Sequence, residues 1–208
     1  MINRTPFFLP WLYPELVWRM QGVDPTLYLT FDDGPVPGPT EFVLDQLKKY
    51  GVTATFFCIG DNVQKHPELF KRIATDGHAI GNHTFNHLNG WKTKAGEYIR
   101  NAEKFASEVA LIYPGFTTNL FRPPYGRITR NQIRALYCYR IIMWDVLTYD
   151  FNKMLSQEKC LTNSLRAVRN GSIVVFHDSV KAERNLMYTL PRFIEVCLQR
   201  GYRFNAIR

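Results

Sequence analysis

Seven short apolar runs, each separated from the next by an amphipathic stretch, constrain this chain more than any other feature. Residues 27–31, 54–59, 78–82, 119–122, 140–146, 172–177 and 202–207 read as strands by apolar and β-branched content. Between them, residues 40–50, 62–76, 95–112, 129–138, 156–169 and 188–200 read as helices. The first of these places Phe42, Val43, Leu47 and Tyr50 on one face and stops at Gly51, a helix-ending residue. Thr129 followed by Gln132 is a capping box in sequence. Regular strand–helix alternation is the pattern of an α/β fold around a parallel sheet. At 208 residues the chain reads as one domain, residues 25–208, preceded by an N-terminal arm, residues 1–24.

The polar residues fall on this map at one kind of place. Asp32 and Asp33 follow the first strand, His83 the third and Arg122 the fourth. Asp145 and Asp150 follow the fifth, and His177 ends the sixth. Loops at the carboxyl ends of parallel strands are where α/β barrels and open sheets build their sites, so these residues are expected on one rim.

Asp32-Asp33-Gly34-Pro35 has the composition of an ordinary acidic turn. Two carboxylates side by side at a buried strand end, however, repel each other unless a cation is present. His83 and His87, four apart, can share one face of a helical turn, and they can equally be satisfied core or surface histidines. Taken with Asp33 they make a two-histidine, one-carboxylate set with open positions, which suits Zn²⁺ or another divalent transition ion such as Co²⁺ or Ni²⁺. Asp32 is then the spare acid, available to activate a water. Arg122, in a loop stiffened by Pro123 and Pro124, can hold Asp32 ionised, and the same loop can aim the Tyr125 N–H at a developing oxyanion. His177 reads as a general acid with Asp150 as its carboxylate partner. His66 and His78 read as structural.

With these residues set out, the chain resembles the polysaccharide deacetylase family, the NodB-homology domain of carbohydrate esterase family 4, over residues 27–207. Thr30-Phe31-Asp32-Asp33-Gly34 matches the first motif, where the resemblance makes Asp32 the base and Asp33 a metal ligand. His83-Thr84-Phe85-Asn86-His87 matches the second, supplying both histidine ligands. Arg122-Pro123-Pro124-Tyr125 matches the third, and Val175-Phe176-His177 the last, with the histidine as catalytic acid. The fourth motif departs from the family pattern: Leu147 stands where an aspartate is usual and Phe151 where a tryptophan is usual, while Asp150 is kept. Val175 takes the place of the more usual leucine. The resemblance implies a distorted (β/α)₇ barrel. It also implies a hydrolase that removes N-acetyl groups from amino sugars of a polysaccharide or oligosaccharide. Trp91, Tyr125, Trp144, Tyr149 and Phe151 are candidate sugar-stacking surfaces. A related amidase acting on a different C–N bond, or a non-catalytic glycan-binding relative, is the alternative.

Net charge of +8 invites comparison with nucleic-acid binders, but the basic residues are scattered and form no run or finger motif. A carbohydrate is therefore the expected partner, and nucleic acid is not. The arm, rich in aromatics over residues 7–18, reads as packed on the domain, with a membrane-surface foot as the other reading. Residues 1–20 lack the uninterrupted apolar core of a signal peptide, whereas the family resemblance implies action on envelope or extracellular glycans. The four cysteines fit buried thiols better than a disulfide framework, although spacing alone also permits two disulfides.

Overall fold

A computed structural model describes residues 3–22 and 24–208. A short helix, α1 (Phe8–Leu12), precedes the central strand β1 (Thr26–Asp32). There follow α2 (Pro39–Tyr50), β2 (Thr55–Cys58), α3 (Gly60–Lys65), α4 (Pro67–Thr75), β3 (Ala79–Asn82), α5 (Ala95–Ile112) and β4 (Leu120–Phe121). Then come α6 (Arg130–Ala135), β5 (Arg140–Ile141), β6 (Val146–Leu147), α7 (Gln157–Ala167), β7 (Ile173–His177), α8 (Glu183–Gln199) and β8 (Arg203–Phe204). The strands run parallel in the order β5-β4-β3-β2-β1-β7-β6, with β8 beside the start of β1. This is a curled sheet with helices outside it, the distorted (β/α)₇ barrel expected.

Strand alternation separates two environments. Leu27, Leu29 and Phe31 point outward into the main core with Val43, Leu44 and Leu47 of α2 and Leu190, Phe193 and Ile194 of α8. The other face looks into the barrel, where Phe57, Leu120, Ile142, Ile173 and Ile207 form a separate buried cluster. Burying the side chains of the outer core is worth about 1.5–3 kcal/mol each.

The barrel does not close through its own sheet, because β5 and β6 sit at opposite ends of the strand order. The N-terminal segment lies across that seam. Val17 donates to Ile141 O at 2.9 Å and accepts from Met143 N–H at 2.7 Å. Thr5 donates to Asp145 O at 2.8 Å, and Leu147 donates to Asn3 O at 2.9 Å. Edge groups that would otherwise seek another chain are thereby paired. Between these two anchored ends, α1 contains no buried residue, and Phe7 and Trp11 are 91% and 80% exposed. The N-terminal segment is thus hydrogen-bonded to the domain on either side of a largely exposed α1.

Three expectations change. Residues 62–76 form two helices, because Pro67 disfavours helical geometry at His66 (φ −131°, ψ 58°) and the chain turns there before restarting. The apolar run 140–146 is two strands, β5 pairing with β4 and β6 with β7, as the chain crosses the seam between them. Helix α8 begins at Glu183, well before residue 188, and continues through Pro191. The carbonyl that this proline leaves unpaired belongs to Met187, which is 38% exposed and within reach of water.

Candidate active site

Asp32 ends β1 pointing into the barrel, 4% exposed. Its Oδ1 accepts from Arg122 Nη1 at 2.7 Å. Arg122 is fully buried and uses four of its five N–H donors: Nη1 also reaches Thr30 Oγ1 (2.7 Å), Nε reaches Ile142 O (3.1 Å) and Nη2 reaches Met143 O (2.9 Å). Its guanidinium lies 4.1 Å over the Phe57 ring, capping the apolar barrel interior. Burial lowers the guanidinium below its ordinary value, against the pull of Asp32. A guanidinium donates in a fixed planar fork, so it fixes the Asp32 carboxylate in orientation.

Asp33 follows in a left-handed conformation, φ 81°, which turns its side chain away from that of Asp32. The turn is pinned from three sides. Asn62 Nδ2 donates to Asp33 O (2.7 Å), Gly34 N–H donates to Asp178 Oδ1 (3.1 Å), and Asp178 N–H donates to Asp32 O (3.1 Å). Thr40 Oγ1 completes the Asp178 carboxylate's partners at 2.6 Å. A side chain at position 34 is impossible without rearrangement, since its Cβ would stand 1.9 Å from Asp178 Oδ2. Burial pushes the Asp178 carboxyl up to about 8, with Thr40 opposing and Asp33 adding to the rise.

His83 and His87 reach Asp33 from the β3 exit. The route is an irregular loop with positive φ at Thr84 and His87, not the helical turn expected from their spacing. Asn82 holds the exit by donating to Ala102 O (2.8 Å) and accepting from Thr84 N–H (2.8 Å). His83 Nδ1 lies 2.8 Å from Arg122 O; the carbonyl fixes this nitrogen as the donor and leaves Nε2 facing Asp33 at 3.8 Å. His87 Nε2 lies 3.2 Å from the same carboxylate oxygen. One donor atom from each of Asp33, His83 and His87 falls within 4.8 Å of the others, a set able to hold a metal ion. Burial lowers His83 to about 4, so its imidazole is neutral, as a ligand must be. For Asp33, burial acts upward but is outweighed by the His87 hydrogen bond and by the charge of His177. Its carboxyl lies well below the usual carboxylate range.

His177, at the end of β7, is paired in register with Asp32 and is held by Asp150. Asp150 Oδ1 accepts from the ring Nδ1 at 2.8 Å, and Oδ2 accepts from the His177 N–H at 2.7 Å. Burial acts to lower the imidazole, but the Asp150 charge and hydrogen bond, with Asp33 and Asp32 behind them, raise it to about 9. With Nδ1 engaged, Nε2 is the nitrogen available to the cavity. Tyr125 adopts φ 60°, and its ring lies 4.6 Å from that of His87.

Asp32, Asp33, His83, His87 and His177 share one cavity of about 390 Å³, so the rim expected from the sequence exists. Its walls include Tyr125, Trp144, Leu147, Phe151 and Val175, so all three departures from the family pattern face the space a substrate would fill. Trp91 is 66% exposed and donates from Nε1 to Ile128 O, outside the lining. Asp145 does not reach this rim. It sits at the opposite end of β7, bound to Arg169 (2.8 and 3.0 Å) and Ser172 (2.7 Å). All four cysteines are free thiols, Cys58, Cys160 and Cys197 buried and Cys138 exposed. Among the described residues no helix is long and apolar enough to cross a membrane.

Comparison with known proteins agrees with this geometry. The family model for polysaccharide deacetylase matches residues 20–139, more than half of the chain. A peptidoglycan-N-acetylglucosamine deacetylase of Bacillus cereus is 40% identical over 153 residues, which are 73% of this chain and 55% of that relative. The chain thus spans about half of that protein's length. The peptidoglycan-N-acetylmuramic acid deacetylase PdaA of Bacillus subtilis is 32% identical over 187 residues, 88% of this chain and 70% of that one. The crystal structure of the Bc1960 peptidoglycan N-acetylglucosamine deacetylase, bound to a naphthalenyl N-hydroxybenzamide, superimposes with a TM-score of 0.89. It is 32% identical, covering 98% of this chain and 95% of that one. Fold, site geometry and these similarities together establish that the chain belongs to the polysaccharide deacetylase family.

Proposed function

We propose that the protein is a metal-dependent deacetylase that hydrolyses the N-acetyl amide of an amino sugar in peptidoglycan or a chitin-like glycan. The observation that carries this reading is one cavity presenting an Arg-held carboxylate, a three-donor metal set and an Asp-held imidazolium. Asp33, His83 and His87 would hold the ion, and two imidazoles with one carboxylate favour Zn²⁺, with Co²⁺ and Ni²⁺ as other occupants. Once bound, the ion supplies Lewis-acid polarisation of the acetamide carbonyl.

The remaining chemistry belongs to the chain. Asp32, oriented by Arg122, takes the proton of the attacking water. The Tyr125 N–H donates to the developing oxyanion, an interaction worth about 3 kcal/mol. His177, protonated through neutral pH, gives its proton to the departing amine, and Asp150 stabilises the imidazolium beforehand. Tyr125, Trp144 and Phe151 offer ring faces to the sugar. The relatives' printed activities on N-acetylglucosamine and N-acetylmuramic acid of peptidoglycan support this substrate class. A complete set of candidate ligands, base and acid weighs against a non-catalytic glycan binder.

The test is acetate release from peptidoglycan strands and from N-acetylglucosamine oligomers by zinc-loaded protein, with Asp32→Asn as control. Acetate from wild type alone supports the proposal. Formate, a ring-opened acid, or no product from folded, zinc-bound protein overturns it.

A further inference from the structure

Two carboxylates at the cavity already have cationic partners in the chain: Asp32 pairs with Arg122 and Asp150 with His177, while Asp33 belongs to the set able to hold a metal ion. Two further cations, Arg127 and Lys181, line the same cavity. Each is placed by an aromatic ring: Lys181 Nζ lies 5.2 Å over Phe151, whose own ring is 4.9 Å from His177, and the Arg127 guanidinium lies 5.2 Å over Trp91. Lys181 is also the divide to a neighbouring cavity of about 320 Å³, lined by Lys153 and Arg184 as well as by Glu183. Among the described residues, none of Arg127, Lys153, Lys181 or Arg184 forms an ion pair. Position 147, where the family pattern has an acid, is an uncharged leucine on the same wall. The groove leading from His177 outward therefore carries Arg127 and Lys181 without carboxylate partners, beside the apolar Leu147 and Phe151.

We infer that this groove selects an acid-bearing glycan: the N-acetylated sugar, or its neighbour in the strand, carries a carboxylate read by Arg127 on one side and by Lys181, Lys153 and Arg184 on the other. The inference rests on the deacetylase reading and narrows its substrate from amino sugars in general to anionic strands. Rim charges of this kind act through complementary potential, and salt screens them. Cations already held against aromatic rings lose less freedom when the anion docks. Two sources can supply the carboxylate in peptidoglycan, the lactyl ether of the sugar and an attached peptide.

The experiment compares KM for acetate release from peptide-free N-acetylglucosamine–N-acetylmuramic acid strands, the same strands with carboxylates converted to methylamides, and peptide-bearing strands. Wild type is expected to show a KM roughly three- to tenfold lower for free carboxylates than for amides, a preference that shrinks in high salt. In the double variant Arg127→Gln/Lys181→Gln the ratio falls to about one, whereas Lys48→Gln, on the far end of α2, keeps it. A preference already present in peptide-free strands identifies the lactyl group; one that appears only with peptide identifies the peptide acid. Equal KM values in wild type, or a ratio that survives the double variant, overturns the inference. Should no strand release acetate, the deacetylase reading fails separately. Calorimetric binding of free and amidated strands to the Asp32→Asn protein then decides the groove's selectivity by the same ratio.

Discussion

Replacing Asp150 by asparagine isolates the charge that sustains the imidazolium of His177. The aspartate accepts three hydrogen bonds, from the His177 N–H and ring and from Phe151 N–H at 3.0 Å. An amide of the same size keeps the volume and one acceptor oxygen but removes the negative charge. Burial, the largest influence on His177, then acts with less opposition, and the imidazole is expected to fall from about 9 to below its ordinary 6.5. That difference corresponds to about 3 kcal/mol of imidazolium stabilisation. At pH 8 a group titrating at 6.5 is protonated about thirtyfold less than one titrating near 9. The expected result for Asp150→Asn is thus a kcat/KM for acetate release about thirtyfold down at pH 8, recovering as pH falls toward 6, with the alkaline limb displaced to lower pH. Stability carries a matching sign. A histidine raised on folding contributes fully below pH 6.5 and loses that contribution as pH rises through about 9. The gap in melting temperature between wild type and variant is therefore widest in mild acid and closes by about pH 10. An unmoved alkaline limb, or a loss of activity uniform across pH, would refute this account of His177.

Three other perturbations probe separate parts of the site. Asp32→Asn should lower kcat by about 10³ while leaving zinc affinity, measured by chelator competition, close to wild type. Gly34→Ala drives a methyl group into the Asp178 carboxylate and should cost about 3 kcal/mol in urea unfolding, together with weaker zinc binding as the Asp33 turn shifts. Arg122→Met removes the partner of buried Asp32 and strands two carbonyls, so thermal and urea unfolding should show a loss of about 3–5 kcal/mol; a loss under 1 kcal/mol would mean that the pair is not structurally required.

What the sequence revealed, and what it hid, divides along physical lines. Helix α5 is legible to the residue because Tyr98, Ala102, Phe105 and Val109 recur at helical spacing with no breaker between them. Residues 140–146 mislead because apolarity records burial and not partner: the run is mostly buried but changes its neighbour strand midway. The candidate metal donors and Asp32 are readable since such chemistry needs those side chains at strand ends, yet the path joining His83 to His87 depends on left-handed residues that spacing does not encode. Asp145 and Asp150 look equivalent in sequence and lie at opposite ends of β7, a distinction set by where the chain crosses the seam. Asp178 went without a role because it acts on a turn 144 residues away. Its one signal in sequence is its place directly after the apolar run Ile173-Val174-Val175-Phe176 and His177.

The seam has a consequence for how the molecule is made. Residues 3–19 leave the ribosome well before the partners that hold them, Ile141, Met143, Asp145 and Leu147, which are made more than a hundred residues later. This segment therefore has to wait, with its aromatic side chains uncovered, until almost the whole barrel exists. Docking of this segment is expected as a closing event of folding, after β1 and β7 have paired, and nascent chains stalled before residue 140 should remain open to proteolysis near α1.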